Sequence, residues 1–253
     1  MGARIVGVLN QKGGVGKTTI SANLTHALAR MGYKVTVIDL DPQGHLAVSL
    51  GMVAVDRAGI DEVMLGTADI DQQLLEVREN LNLIAAGPRL QEIEQLAAGG
   101  AARGGLLSRA LRQSLHDQDF VFIDCPPSSG VLVANALFAA DEILIPMSGD
   151  FLSLQGLAYL MGTIKRFEKA LRKHYKTALL MSRYATTRRI SREVLNTLQK
   201  HFPKQILATV IRESALLAEC PSAGKTIHEY RPGSRSARDF RNLAQDFLEN
   251  KVM

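Results

Sequence analysis

The stretch Lys12-Gly13-Gly14-Val15-Gly16-Lys17-Thr18-Thr19 decides how this chain folds. It follows an apolar run at residues 5–9 and precedes a helical pattern that continues to about Met31. A strand, a glycine-rich loop and a helix in this order form the usual context of a phosphate-binding loop. Glycines let backbone N–H groups point at phosphate oxygens, and the helix N-terminus behind them adds partial positive charge. We therefore predict that this loop binds phosphate.

Two lysines and a threonine give the loop chemistry that suits a nucleotide. Lys17 is placed to reach the β- and γ-phosphates, and the Thr18 hydroxyl to reach Mg²⁺. Position 11 is Gln11, where the usual formula has glycine, so the loop is a variant of the motif. Lys12 stands at its front, where an ordinary phosphate-binding loop requires no lysine. A simple tight turn is the alternative, and the strand–loop–helix context favours phosphate binding.

The rest of the chain alternates strands and helices. The first strand, the helix at residues 17–30 and a strand at 34–38 form a βαβ unit, which implies parallel pairing and a right-handed crossover. Further strands are predicted at residues 81–85, 120–123, 142–146, 177–181 and 205–211. Further helices are predicted at residues 60–65, 70–77, 90–98, 106–115, 131–140, 153–173, 190–201 and 236–250.

This alternation predicts an α/β fold, a doubly wound and mostly parallel sheet with helices on both faces. The small-residue run at residues 99–105 is interpreted as a loop between helices rather than a domain boundary. Strand material resumes soon after it with the same alternation. We therefore expect one domain over residues 1–253.

Carboxylates follow two of the predicted strands. Asp39 and Asp41 come after the second strand, and Asp124 follows the fully apolar strand at residues 120–123. In a parallel sheet, ligands bind at the carboxyl ends of the strands. Metal–nucleotide chemistry needs carboxylates near Mg²⁺ and a group that orients the attacking water. We predict that Asp124 holds the water shell of Mg²⁺; surface turns are the alternative for all three residues.

The composition is that of an ordinary globular chain with a small excess of positive charge. The 253 residues include 30 lysines and arginines against 25 acidic residues, a formal net charge of +5. This excess favours an anionic partner weakly, because a solvated basic surface has the same signature. The two cysteines do not form a disulfide framework. No run approaches about 18 apolar residues, and no leader segment is evident, so we expect a cytoplasmic protein.

Three motifs together resemble the ParA/Soj branch of the ParA–MinD ATPases, and the resemblance covers essentially the whole chain. The first is the variant loop described above. The second comprises the two strand ends, Val37-Ile38-Asp39-Leu40-Asp41-Pro42-Gln43-Gly44 and Phe122-Ile123-Asp124-Cys125-Pro126-Pro127-Ser128. The third is the late segment Glu219-Cys220-Pro221-Ser222-Ala223-Gly224-Lys225-Thr226-Ile227, which is similar to the family's segment near adenine.

The resemblance implies a P-loop NTPase fold with ATP and Mg²⁺ as cofactors. In the family the leading lysine, here Lys12, crosses the dimer interface and contacts the partner's ATP. Lys12, Lys17 and Asp41 would then be the catalytic residues, with Asp41 positioning the attacking water. Thr18, Asp39 and Asp124 would surround the metal. ATP would hold a homodimer together, and hydrolysis would release it.

The adenine contacts implied by the resemblance involve a departure from the family. Where the family often has Ile-Pro-Arg-Asn-Val-Arg, this chain has Ile211-Arg212-Glu213-Ser214-Ala215-Leu216. Arg212 and Ser214 stand where the family's proline and asparagine flank adenine, so we assign them to nucleotide binding. Leu216 replaces one of the family's DNA-contacting arginines.

The resemblance also implies partners. ParA members bind DNA non-specifically as ATP dimers through basic residues late in the chain, which is a salt-sensitive attraction to the phosphate backbone. The predicted DNA-binding residues here are Arg188, Arg189, Arg192, Lys225 and Arg235, from a basic set that also includes Arg183, Arg231, Arg238 and Arg241. Solvated helix faces are the alternative. We expect slow hydrolysis, stimulated by a ParB-like or other cargo-adaptor protein with a basic N-terminal segment, on the nucleoid.

A MinD-like membrane switch for division-site or flagellar placement is the first competing hypothesis. MinD relatives bind membrane through a C-terminal amphipathic helix. The last predicted helix here places Phe240, Leu243, Phe247 and Leu248 on one face, with acidic residues interspersed. This pattern favours a helix that packs on the core, so we expect no membrane partner.

A reductase of the nitrogenase-iron-protein type is the second competing hypothesis, because it shares the loop. It needs two cysteines per subunit arranged for a bridging [4Fe–4S] cluster. Cys125 is adjacent to the predicted Mg²⁺ region, whereas Cys220 lies in the late segment. The sequence therefore disfavours an iron–sulfur protein.

Overall fold

The computed structural model describes residues 2–52, 58–95 and 105–253. Within these residues a seven-stranded sheet has the order β3-β4-β2-β5-β1-β6-β7. The strands are β1 (Arg4–Val8), β2 (Val35–Asp39), β3 (Leu75–Arg78), β4 (Leu81–Ile84), β5 (Phe120–Asp124), β6 (Glu142–Ser148) and β7 (Lys176–Ser182). Every neighbouring pair is parallel except β3 with β4. The predicted fold class is confirmed.

Helices cover both faces of the sheet. They are α1 (Lys17–Arg30), α2 (His45–Ser49), α3 (Ile60–Leu65), α4 (Leu90–Gln95), α5 (Leu106–Gln113), α6 (Val131–Ala139), α7 (Phe151–Leu171), α8 (Arg189–His201), α9 (Ala215–Glu219), α10 (Ile227–Tyr230) and α11 (Arg235–Glu249). Successive strand residues point to opposite faces. Phe122 accordingly belongs to the core under α1 and α11, and Ile123 to the core under α6 and α7.

The predicted helix at residues 70–77 is wrong. A 3₁₀ turn at Ile70–Gln73 leads into β3, which pairs antiparallel with β4 at the sheet edge. Leu75 and Val77 are half-buried against the core while Glu76 is exposed, so the segment alternates with a period of two. Asn80 takes a left-handed backbone with φ of 59°, which permits the tight connection to β4.

The predicted strand at residues 205–211 is not continuous. The structure has isolated parallel bridges instead: Leu179 of β7 with Ile206, and Tyr184 with Arg212 just beyond the two segments. Its middle is bound elsewhere, because the Thr209 N–H donates to Asp246 Oδ2 at 2.7 Å on α11. This contact with α11 interrupts the ladder of backbone hydrogen bonds between the segment and β7.

Some predictions fall outside the described residues. Helix α4 is described to Gln95, so the end of the helix predicted at 90–98 and all but the last residue of the loop predicted at 99–105 lie outside the described residues. The assignment of one domain stays a prediction. Across the described ranges, no helix is both long enough and apolar enough to cross a membrane.

Candidate nucleotide-binding site

The phosphate loop connects the end of β1 to the start of α1. Gly14 and Gly16 have φ values of 73° and 93°, a left-handed conformation that residues with a Cβ avoid. Gly16 caps a helix of 14 residues, so the first amides of α1 face the loop. Val15 is fully buried and its carbonyl accepts a hydrogen bond from the Ser182 hydroxyl. The loop is therefore anchored to β7.

A cavity of about 720 Å³ opens beside the loop, a volume in the range of small-molecule and cofactor sites. Its lining joins several of the predicted site residues. They are Gly13, Gly14, Gly16, Lys17, Thr18, Thr19, Asp41, Arg212 and Ser214. The structure thus brings together the phosphate loop, the end of β2 and the segment predicted to contact adenine.

Lys17 is buried at the base of the cavity, with 7% of its surface exposed. Burial lowers the pKa of its ammonium group, and the carboxylates of Asp124 and Asp41 oppose that shift. Its Nζ donates to the Lys12 carbonyl at 3.5 Å. A buried cation with a long, weak contact is suited to an anionic ligand.

Asp124 is buried beside the loop at the end of β5. The Ser21 hydroxyl donates to its Oδ1 at 2.9 Å, whereas its Oδ2 is buried with no hydrogen-bond partner among the described residues. Burial raises the pKa of Asp124 to about 6, and the hydroxyls of Thr18 and Ser21 oppose the shift. An unpartnered buried carboxylate oxygen near a threonine hydroxyl fits a hard cation such as Mg²⁺.

Asp39 lies opposite Asp124 in the register of β2 and β5. It is fully buried, and each of its oxygens accepts a backbone N–H at 3.1 Å, one from Asp41 and one from Leu46. Burial and then the adjacent Asp124 raise the pKa of Asp39 well above its usual range. These contacts show that Asp39 fixes the turn that carries Asp41. The role of Asp39 at the metal stays a prediction.

Asp41 is half-buried and faces the cavity. Its Oδ1 accepts the Gln43 N–H at 3.1 Å, and Gly44 completes the turn with φ of 64°. A carboxylate that faces the cavity on a fixed turn is suited to orient a water molecule.

Lys12 lies outside the cavity lining. Its Nζ donates to Asp150 Oδ1 at 2.5 Å and Oδ2 at 2.6 Å, and to the Ser153 hydroxyl at 3.3 Å. Asp150 also caps α7 by accepting the Ser153 N–H. The leading lysine is therefore held by its own chain.

Three charged residues around the site were not predicted from the sequence. Asp150 follows β6 and binds Lys12, while Glu213 lines the cavity beside Arg212. Arg183, which we placed among the basic candidates for DNA, instead lines the nucleotide cavity and donates to the Gly14 carbonyl at 2.9 Å. Asp150 and Arg183 each follow the carboxyl end of a parallel strand, and that position is the signal that identifies them.

An ion pair with α11 anchors the segment that is predicted to contact adenine. Arg212 Nη1 donates to Asp239 Oδ1 at 3.0 Å, and the Asp239 side chain is 4% exposed. Burial raises the pKa of Asp239, and the Arg212 guanidinium opposes the shift. Arg212 and Ser214 both line the cavity, and their adenine contacts stay predictions.

All five predicted DNA-binding residues are exposed: Arg188, Arg189, Arg192, Lys225 and Arg235. Thr187 and Arg235 line one cavity of about 300 Å³, so the starts of α8 and α11 lie close together. Lys225 is not among the lining residues of that cavity. Arg188 pairs with Glu213 at 3.5 Å and Arg189 with Glu193 at 2.6 Å, and exposed pairs of this kind contribute little stability.

The apolar face of α11 packs on the core, as predicted. Phe240 and Leu243 are fully buried and Phe247 is 3% exposed, in the core shared with α1. These side chains are therefore not available to a membrane in this structure.

The cysteines lie in different cores. Cys125 belongs to the core under α6 and Cys220 to the core under α1, and both are buried. Burial raises the pKa of the Cys220 thiol to about 11 and that of Cys125 well above its usual range. This placement does not suit a cluster shared at a subunit surface.

The sheet order, the loop and the carboxylates define a P-loop nucleotide-binding protein. A family model described as an AAA domain matches residues 3–177. The sporulation initiation inhibitor protein Soj of Bacillus subtilis is 35% identical over 254 residues, covering 98% of this chain and 99% of that protein. The chromosome partitioning protein ParA of Myxococcus xanthus is 34% identical over 250 residues, covering 97% of this chain and 88% of that protein.

A solved structure gives the same fold. The crystal structure of cobyrinic acid a,c-diamide synthase from Mycobacterium smegmatis, with bound ATP analogue and magnesium, matches with a TM-score of 0.84 at 31% identity. The match covers 98% of this chain and 95% of that chain. Together with the full-length relatives, the family match shows that the chain belongs to the ParA/Soj family of chromosome-partitioning ATPases.

Proposed function

We propose that this chain is an ATP-dependent, dimerising ATPase that binds DNA without sequence preference and positions a cargo on it. The cargo is a chromosome, a plasmid or a protein cluster, and hydrolysis is slow until a partner protein stimulates it. In addition to family membership, one observation supports the proposal: the phosphate loop, Asp41 and the predicted adenine segment line a single cavity. We expect the protein to act in the cytoplasm, on the nucleoid.

The residues beside the loop fit a magnesium ion. Asp124 contributes a buried oxygen that has no partner in the described part of the chain. Thr18, Asp39 and Asp124 would hold the ion, whose charge would stabilise the β- and γ-phosphates when bound. Lys17 would bind the same phosphates from the base of the cavity.

Asp41 would orient the water that attacks the γ-phosphate. Its turn is fixed by the backbone contacts of Asp39, so the carboxylate is positioned before ATP binds. Such positioning contributes to catalysis by lowering the entropic cost of reaching the transition state.

Lys12 would act on the ATP of a second copy. A cation supplied by the partner subunit stabilises the charge of the transition state, as an arginine finger does. In the isolated chain its ammonium group is bound to Asp150. The Lys12 side chain is 32% exposed and that of Asp150 is 43% exposed, so exchanging this pair for a phosphate costs little.

The exposed arginines at the starts of α8 and α11 would bind the DNA backbone. Arg188, Arg189 and Arg192 lie on or next to the first turn of α8, and Arg235 begins α11. ATP-driven dimerisation would present two copies of this surface and so raise the DNA affinity.

Binding to random-sequence DNA tests the proposal. We expect binding with ATP and Mg²⁺ but not with ADP, and an affinity whose logarithm falls linearly with the logarithm of the salt concentration. Anionic vesicles are the parallel probe. ATP-dependent binding to vesicles without binding to DNA would replace our proposal with the MinD-like alternative.

A further inference from the structure

Arg183 bridges the phosphate loop and the opposite wall of the nucleotide cavity. Its Nη1 donates to the Gly14 carbonyl at 2.9 Å, and its Nη2 donates to Glu213 Oε1 at 3.2 Å. All three residues line the cavity. The guanidinium group is therefore placed next to the loop whose amides face the phosphates.

The backbone at Arg183 is unfavourable for a residue with a Cβ. Its φ of 48° lies in the left-handed region, which favours glycine. Both neighbours are fixed: the Ser182 hydroxyl donates to the Val15 carbonyl, and the Tyr184 N–H donates to the Ile211 carbonyl at 3.0 Å. Strained backbone of this kind concentrates at functional sites, where the side chain needs an unusual direction. Here that direction is towards the phosphate loop.

The charges around the cavity indicate that the Arg183 guanidinium is available to bind an anionic ligand. Arg212 is paired with Asp239 behind the cavity wall. Arg183, 56% exposed, has only the 38% exposed carboxylate of Glu213 as an anionic partner within the described residues. A phosphate chain carries several negative charges, and arginine binds phosphate oxygens through two parallel N–H groups.

We propose that Arg183 is a phosphate-binding residue for ATP, contributed by the same chain that holds the nucleotide. Glu213 holds the guanidinium beside the loop until the phosphates take its place. This inference rests on the ATP binding proposed above. The phosphates would then meet two cations from one chain, Lys17 and Arg183, while Arg212, which also lines the cavity, is paired with Asp239.

Equilibrium titration with ATP and Mg²⁺, without DNA, tests the inference. We expect Arg183→Ala to weaken ATP binding about tenfold, and Arg183→Lys to weaken it less, because one charge remains without the paired donors. Arg172 offers a matched control. It is an exposed arginine with φ of 51° at the end of α7, outside the cavity lining, so Arg172→Ala should bind ATP like the wild type.

Glycine variants separate phosphate binding from turn shape. Arg183→Gly relieves the left-handed backbone, so it should not lower the thermal unfolding midpoint, yet it should lose as much ATP affinity as Arg183→Ala. Wild-type affinity in Arg183→Gly or Arg183→Ala overturns the inference, as does an equal loss in Arg172→Ala. If the wild-type chain itself does not bind ATP, the proposed function fails as well, and the two failures are distinguishable.

Discussion

Lys12 and Asp150 form an ion pair across 138 positions of sequence, with Nζ at 2.5 and 2.6 Å from the two carboxylate oxygens. The pair joins the front of the phosphate loop to the N-cap of α7. It holds the Lys12 ammonium group at Asp150, and Lys12 does not line the cavity. The leading lysine of the loop is thus bound within its own chain, and its proposed action on a second copy requires that this pair open.

Asp150→Asn should raise the fraction of dimer at limiting ATP several-fold. Asparagine caps helices as well as aspartate does, so the substitution removes the charge that holds Lys12 and keeps the cap on Ser153. Light scattering across an ATP titration measures the effect. Asp117→Asn is the matched control, because Asp117 pairs with Lys34 at 3.6 Å on an exposed surface. An unchanged dimer fraction would show that the pair does not restrain Lys12.

Lys12→Ala should abolish hydrolysis that depends on dimerisation and leave ATP binding to the monomer within about threefold of the wild type, since Lys12 is absent from the cavity lining. Turnover measured against protein concentration, together with ATP titration, separates the two effects. Lys34→Ala serves as the control. Normal hydrolysis in Lys12→Ala would exclude a role for Lys12 in the partner's site.

Asp41→Ala should trap the ATP-bound dimer. Loss of a group that orients the attacking water slows hydrolysis about a hundredfold or more, whereas binding of the phosphates depends on the loop and Lys17. Phosphate release and size-exclusion chromatography in ATP give the two measurements. Asp69→Ala, an exposed aspartate outside the cavity lining, should behave like the wild type. Normal turnover in Asp41→Ala would show that another group positions the water.

Arg188→Ala combined with Arg189→Ala should weaken ATP-dependent DNA binding and reduce the salt slope by about two units, because two DNA phosphates are no longer neutralised. Lys165→Ala combined with Arg166→Ala removes the same charge from an exposed part of α7 and is the control. Fluorescence anisotropy at several salt concentrations measures both. An equal weakening in the two double variants would indicate a general charge effect rather than a DNA-binding surface.

Two buried histidines should make the fold sensitive to acid. Burial lowers the pKa of His26 and of His228 to about 4; nearby arginines add to the shift, and Glu229 opposes it for His26. The unfolded chain takes up these protons near pH 6.5, so stability is fully present above that pH and falls as the pH drops towards 4. The expected loss is about 1.4 kcal/mol per pH unit for each histidine.

Urea unfolding at several pH values tests this prediction. His228→Gln cannot titrate, so it should show a smaller loss of stability between pH 6.5 and 4 than the wild type. His174→Gln is the control, because the His174 side chain is 96% exposed. The charged groups that face the buried pair are Arg30, Arg78, Glu229 and Arg241. Parallel stability curves for the wild type and His228→Gln would contradict the assignment.

The fold was predictable wherever local pattern and tertiary environment agree. The apolar strand at 120–123 and the helix behind the phosphate loop appear where the sequence places them. Edge elements were less predictable. The segment at 70–77 carries enough apolar residues for a helix, and only its pairing with β4 makes it a strand. The strand at 205–211 is interrupted because α11 binds its backbone at Thr209.

The sequence predicted the residues of the candidate site that belong to recognisable motifs at strand ends. Asp39, Asp41 and Asp124 lie at one edge of the sheet, as expected, because parallel strands end there together. Asp150 and Arg183 follow the ends of β6 and β7 at the same edge. No short motif marks them, and their contacts join residues more than 130 positions apart.

The sequence by itself determined the phosphate loop, the parallel sheet and the carboxylates at its edge, because each has a local pattern: a glycine-rich loop, alternating strands and helices, or an aspartate after an apolar strand. Only the tertiary structure decided which charges meet. The crossovers place β6 beside β1 and β7 beside β6, so that Asp150 binds Lys12 and Arg183 reaches Gly14. The loop is thus defined locally, while the contacts of its leading lysine depend on Asp150, which follows the neighbouring strand β6 and lies 138 positions away in sequence.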